Sequence, residues 1–126
     1  MSPVSLLVVA LGGSLGAVTR YGISRLWGLA APKLEFPFPT LFVNVTGSAL
    51  LGAMFGLMEP DMTSLLEAPL LLFAGVGFCG AYTTFSSFCT ETVTLIPKSG
   101  WLALAYVVAS IAGSIAGFVG VFLLVG

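Results

Sequence analysis

The sequence GAYTTFSSF, residues Gly80–Phe88, decides the fold because it places polar side chains inside the most apolar part of the chain. The apolar sequence APLLLFAGVGFC precedes it and CTETVTLIP follows it. Gly75, Gly77 and Gly80 lower helix propensity, and the Ser and Thr hydroxyls compete with the helix for backbone partners. We therefore predict that a helix covering this region is broken near residues 80–84. Since unpaired backbone at membrane depth has to be satisfied by protein or by a ligand, the break predicts a cation site lined by carbonyl groups.

The composition indicates that lipid surrounds most of the chain. Of 126 residues, 58% are hydrophobic and 7% are charged, and the mean hydropathy is +1.13. Soluble domains carry about a quarter charged residues. Four basic residues and a net charge of −1 argue against a nucleic-acid partner. The chain has no histidine and no phosphate-binding loop motif, so we predict that it is not an enzyme.

The hydrophobic pattern predicts an all-α membrane protein with four transmembrane helices. A spanning helix needs about 20 mostly apolar residues. The connections between the candidates are short, so neighbouring helices are antiparallel within one transmembrane domain, residues 1–126. Three pairs of glycines spaced by four residues predict close helix packing, at Gly12 and Gly16, Gly52 and Gly56, and Gly113 and Gly117. The predicted helices are residues 4–27, 40–58, 68–95 with the break near 80–84, and 101–125.

Neutral polar side chains predict a pathway through the bundle for a small, strongly hydrated anion. Hydroxyl and amide groups replace water around such an ion without holding it too tightly, and aromatic ring edges carry positive potential. Phe85 and Phe88, three residues apart, share one helical face. The polar candidates are Asn44 with Thr40 one turn before it, and the stripe Tyr106, Ser110 and Ser114 on the fourth helix.

Two charged residues lie within or near the predicted helices, and each has two interpretations. Ionisable groups inside membrane helices are functional candidates. Arg20 is either an interfacial or paired structural residue or part of a vestibule that attracts anions. Glu91 is interpreted first as a structural hydrogen-bonding or helix-end residue, and its alternative role is in transport.

Four motifs follow one another along the chain, GGSLGAVTRYG, TLFVNVTGSALLG, GFCGAYTTFSSFCTETV and YVVASIAGSIAG. In this order they resemble the Fluc-type (CrcB) fluoride channels. The resemblance covers essentially the whole sequence. Where the family commonly reads GGLTTFSTF, this chain reads GAYTTFSSF, so that Ala81, Tyr82 and Ser87 depart from the pattern, and Ser87 keeps a hydroxyl. We expect Tyr82 to add bulk and a hydroxyl near the centre of a dimer.

The resemblance implies a dual-topology homodimer of antiparallel subunits with two parallel fluoride pores. It implies a central structural sodium ion held by the backbone carbonyls of Gly80 and Thr83 from both subunits. Arg20 matches a vestibule residue, and Thr40 and Glu91 match positions near the pore ends. The pore-lining positions are matched by Asn44, Phe85, Phe88, Tyr106, Ser110 and Ser114.

The function implied by the resemblance is passive, fluoride-selective export across a bacterial or other microbial cell membrane, which relieves fluoride toxicity. One alternative is a small proton-coupled exporter that uses Glu91, and another is a structural membrane subunit. All four basic residues lie on one predicted membrane face, so the positive-inside rule predicts a single orientation with both termini outside. Pairing with an oppositely oriented paralogous subunit is therefore the alternative to the homodimer.

Overall fold

The computed structural model describes residues 2–33 and 35–126, and these residues form helices and connections without any strand. Four helices in this part of the chain are long and apolar enough to cross a membrane, which confirms the predicted number of spans. They differ from the predicted ranges by a few residues at their ends. Their bounds are Pro3–Ala30, Phe38–Met58, Leu71–Lys98 and Gly100–Val125.

The first two spans begin and end at recognisable signals. Helix α1 (Pro3–Ala30) starts where the Ser5 N–H donates to Ser2 Oγ at 3.1 Å, with proline at its first position. Helix α2 (Phe38–Met58) ends at Glu59, whose φ of 44° is left-handed and turns the chain out of the helix.

A short helix, α3 (Met62–Glu67), lies in the connection that the sequence predicted only as a linker. The Ser64 N–H donates to the Asp61 side chain at 2.7 Å and so caps this helix. The same hydrogen bond lowers the pKa of the Asp61 carboxyl. Ala68 then adopts an extended conformation, after which the chain is helical again from Pro69 and enters the third span at Leu71.

The third span is assembled from three helical pieces. It begins as a π-helix (Leu71–Cys79), continues as α4 (Gly80–Tyr82) and resumes as α5 (Phe85–Lys98). Between α4 and α5, Thr83 (φ −81°, ψ 160°) and Thr84 (φ −149°, ψ 123°) have extended backbone dihedrals. Helix α6 (Gly100–Val125) forms the last span.

Glycines allow the spans to meet at the level of their backbones. On α1, an added Cβ at Gly12 would collide with the Phe73 carbonyl of the π-helix, and one at Gly16 would collide with the Phe78 carbonyl. On α2, a Cβ at Gly52 would collide with the Phe118 carbonyl of α6. The close pairs are therefore α1 with the π-helix and α2 with α6, as the spacing of small residues predicts.

Candidate functional site

An open groove of about 490 Å³ lies between α2, the third span and α6. We call it the α2–α6 groove. Apolar side chains such as Leu51 and Ile111 form part of its wall. The structure brings most of the residues predicted from the sequence into this one lining, namely Asn44, Gly80, Thr83, Phe85, Phe88, Ser110 and Ser114.

Asn44 binds the backbone at the start of α5. Its Nδ2 donates to the Thr84 carbonyl at 3.0 Å, and the Thr84 N–H donates back to Asn44 Oδ1 at 2.8 Å. A carboxamide nitrogen carries two hydrogens, and this pairing uses one of them. Asn44 therefore fixes the non-helical backbone to α2 and keeps a second N–H.

The carbonyls of Gly80 and Thr83 lose the donors that a continuous helix would give them. In an α-helix the N–H of residue i+4 donates to the carbonyl of residue i. The Thr84 N–H, the helical partner of Gly80, donates to Asn44 instead, and the Ser87 N–H, the helical partner of Thr83, donates to Thr84 Oγ1 at 3.2 Å. Gly80 and Thr83 are the two residues whose carbonyls the family resemblance implies as sodium ligands.

Ser110 has a buried hydroxyl that makes no hydrogen bond within the described part of the chain. The residue is only 5% exposed. Hydroxyls in membrane helices commonly donate to the carbonyl four residues earlier. Ser110 departs from this behaviour, which is followed by Ser14, Thr19, Thr46, Thr92 and Thr94.

The two predicted phenylalanines contribute aromatic surface to the same groove. The ring centroids of Phe85 and Phe88 are 5.8 Å apart, and those of Phe88 and Tyr106 are 5.4 Å apart. Phe88 is half-buried, whereas Phe85 is 77% exposed in the single chain. The phenyl rings therefore extend from the groove towards Tyr106.

Glu91 forms a separate cluster with two of the other predicted residues. Its Oε1 accepts a hydrogen bond from Thr40 Oγ1 at 2.9 Å, and its Oε2 accepts one from the Tyr106 hydroxyl at 2.8 Å. This cluster is outside the groove lining and contacts it through Phe88. Arg20, half-buried on α1, belongs to neither the groove lining nor the cluster.

Sequence reasoning missed two residues around these features, Phe36 and Thr46. Phe36 packs edge-on against Tyr106, with ring centroids 5.6 Å apart and planes at 88°. Tyr82 is 7% exposed and lies inside the subunit, where its hydroxyl is 2.8 Å from Thr46 Oγ1. The departure of Tyr82 from the family pattern was a signal, but nothing in the sequence pointed to Thr46 as its partner.

Comparison with known proteins decides the family. The model of the family described as "CrcB-like protein, Camphor Resistance (CrcB)" matches residues 7–122. The chain belongs to the CrcB family. This membership and the four apolar helices identify a multi-pass protein of the cell membrane.

Several relatives of this CrcB chain bear the name of a fluoride-specific ion channel, and none of those cited below is named as an enzyme. "Fluoride-specific ion channel FluC 1" of Halalkalibacterium halodurans is 43% identical over 117 residues, which cover 91% of this chain and 92% of the relative. The protein of the same name from Listeria innocua is 40% identical over 122 residues, covering 95% and 97%. "Fluoride-specific ion channel FluC" of Shewanella sp. strain ANA-3 is 46% identical over 106 residues, covering 80% and 78%.

Proposed function

We propose that this protein is a passive, fluoride-selective ion channel through which cytoplasmic fluoride leaves the cell, which relieves fluoride toxicity. The observation that carries the proposal is the buried, unpartnered hydroxyl of Ser110 in the α2–α6 groove. A buried polar group without a partner calls for an explanation, and a passing anion supplies one. The names of the relatives support fluoride as that anion.

The groove offers an anion neutral hydrogen-bond donors and no fixed positive charge. The second N–H of Asn44 and the hydroxyls of Ser110 and Ser114 can replace part of a hydration shell. The rings of Phe85 and Phe88 present edges of positive potential. Weak, repeated sites of this kind bind an ion and release it again, as conduction requires.

The remaining predicted residues have roles at the ends of this pathway. Tyr106 extends the polar stripe of α6 beyond Ser110. Thr40 and Glu91 are proposed to form one pore end, supported by their contacts with each other and with Tyr106. Arg20 is proposed to attract anions at a vestibule.

A second, antiparallel copy of the chain is proposed to close the groove and to create two parallel pores. In the single chain the groove is open and Phe85 is 77% exposed. Polar groups facing lipid without partners are costly, so a protein partner is favoured over lipid at this face. Each subunit would contribute one transmembrane domain, residues 1–126. An oppositely oriented paralogous subunit is the alternative partner.

A structural sodium ion is proposed at the non-helical part of the third span. We propose that this part, centred on Thr83 and Thr84, is the predicted helix break. The carbonyls of Gly80 and Thr83, which lack their helical donors, suit a cation because carbonyl oxygens can replace its hydration shell. The same carbonyls of the partner copy would complete the ligand set, and the ion would join the subunits.

The proton-coupled exporter is less favoured because both oxygens of Glu91 accept hydrogen bonds from fixed hydroxyls. These bonds give Glu91 a structural role, and the residue lies outside the groove lining. We expect Glu91→Gln to retain most fluoride flux, measured from liposomes with and without a proton gradient. Loss of a gradient-driven component in this variant would support the exporter instead.

Anion efflux from liposomes tests the channel directly. Purified protein is reconstituted, fluoride and chloride are compared under identical gradients, and an ionophore clamps the voltage. We expect fast fluoride loss, almost no chloride loss and no response to a proton gradient. The paired substitution Phe85→Ile and Phe88→Ile should stop fluoride loss in protein that still assembles.

Three other outcomes would change the proposal. Equal loss of both anions would leave a pore without selectivity. Folded protein that releases neither fluoride nor chloride would favour the exporter. Normal fluoride flux through the paired phenylalanine variant would remove these rings from the pathway.

A further inference from the structure

The hydroxyl of Tyr82 makes a hydrogen bond whose direction the structure determines. Tyr82 Oη and Thr46 Oγ1 are 2.8 Å apart. Thr46 donates its single hydroxyl proton to the Phe42 carbonyl at 2.7 Å. Since a threonine hydroxyl has one proton, Tyr82 is the donor and Thr46 the acceptor in the bond between them.

This bond is one of three hydrogen bonds that join residues 82–84 to α2. On one side of Thr83, Tyr82 is bound to Thr46, and on the other side Thr84 is bound to Asn44. The two partner residues on α2, Asn44 and Thr46, are two positions apart in the sequence. The Tyr82 side chain and the Thr84 backbone, on the two sides of Thr83, are therefore bound to the same helix.

The surroundings of the Tyr82 ring restrict its movement. The ring stacks on Phe78, with centroids 5.3 Å apart and planes at 20°. Gly47 of α2 leaves room for both the ring and Thr83, because an added Cβ there would collide with Thr83 Cγ2 and would lie 3.2 Å from Tyr82 Cδ2. A ring packed on two sides transmits the position of its hydroxyl to its own backbone.

We infer that Tyr82 is a positioning residue that holds the carbonyls of Gly80 and Thr83 ready for a cation before the cation binds. The inference rests on the sodium site proposed above. Without the hydroxyl, the Asn44 pairing and the ring packing remain, but the end of α4 loses its hydrogen bond to α2 and is held there less firmly. Part of the binding free energy is then used to order the site, which lowers the affinity for sodium.

The sodium dependence of thermal unfolding tests this role. The purified full chain is unfolded at increasing sodium chloride, with choline chloride keeping the ionic strength constant, and the sodium concentration at half-maximal stabilisation is read from the series. We expect Tyr82→Phe to raise this concentration about 3- to 10-fold, the effect of losing one hydrogen bond.

Thr46→Val removes the acceptor of the same hydrogen bond, and the double variant should raise the half-maximal sodium concentration no further than either single variant. Tyr21→Phe, at an exposed tyrosine of α1, is the matched control and should not shift it.

The outcomes separate this inference from the sodium site itself. If the wild-type chain shows no stabilisation specific to sodium, both the proposed sodium site and the role inferred for Tyr82 are wrong. If the wild type responds and Tyr82→Phe has the same half-maximal concentration with a lower Tm, the hydroxyl only stabilises the fold and the inference is overturned. If Tyr82→Phe does not fold, Thr46→Val decides in the same way.

Discussion

Ser110 and Asn44 illustrate how single polar side chains in an apolar bundle acquire different tasks. Asn44 has two of its polar atoms committed to the backbone of Thr84, so it stabilises the fold and lines the groove at once. Ser110 has no partner in the described part of the chain and makes no such contribution to stability. Substitutions at Ser110 therefore separate transport from folding.

Ser110→Ala is predicted to lower fluoride flux about tenfold. The variant removes one hydrogen-bond donor that stabilises the permeating ion by about 1.4 kcal/mol, and this free energy corresponds to a factor of ten. Stability should stay the same or rise by about 1 kcal/mol, because an unsatisfied buried hydroxyl is removed. Liposome efflux and thermal unfolding of the same preparation measure both quantities. Ser14→Ala is the control, since that hydroxyl bonds to the Ala10 carbonyl at 2.7 Å on α1. Unchanged flux in Ser110→Ala would contradict the role given to this hydroxyl.

Most groove residues could be predicted from the sequence because polar side chains are conspicuous in apolar helices. The partners of those residues could not. Asn44 and Thr84 are 40 residues apart, and Thr40 and Glu91 are 51 apart, so their pairing depends on how α2 and the third span are aligned. That alignment is fixed by tertiary packing, which hydropathy and spacing do not encode.

At the level of elements, the glycines of α1 differ in what surrounds them. Gly12 and Gly16 lie against carbonyls of the π-helix, whereas Gly22 and Gly28 have open space where a Cβ would be. Spacing alone identified the first pair correctly. The short helix α3 and the π-helical winding of residues 71–79 were not predicted, since a six-residue helix depends on the Asp61 cap and π-turns have no clear sequence pattern.

Gly12→Ala is predicted to destabilise the protein by about 1–3 kcal/mol, because the added methyl must push α1 away from the Phe73 backbone. Gly22→Ala, in the same helix, is the matched control. It should be neutral or stabilising by up to about 1 kcal/mol, since alanine is the better helix former. Thermal unfolding in detergent measures both variants. A Gly12→Ala variant as stable as Gly22→Ala would mean that α1 and the π-helix are not in this close contact.

At the scale of the whole molecule, charge is distributed unequally between the two ends of the bundle. Arg25, Lys33 and Lys98 lie towards the end that holds the α1–α2 connection, together with Glu35. The opposite end has no Lys or Arg and carries three carboxylates, Glu59, Asp61 and Glu67. In an antiparallel pair the basic end of one subunit would lie beside the acidic end of the other, which is favourable. The same asymmetry favours a single orientation during insertion.

Cysteine labelling in spheroplasts that express this chain alone distinguishes an antiparallel homodimer from a single membrane orientation. Cys79 and Cys89, the two free cysteines, are replaced by alanine, and a single cysteine is introduced at Pro32 or, at the other end, at Met62. For an antiparallel homodimer, a membrane-impermeant maleimide should modify about half of the molecules of either variant, because the two subunits are related by two-fold symmetry. Detergent should expose the rest. Complete modification of one variant and none of the other would mean a single orientation, and the pores would then need an oppositely oriented paralogous subunit.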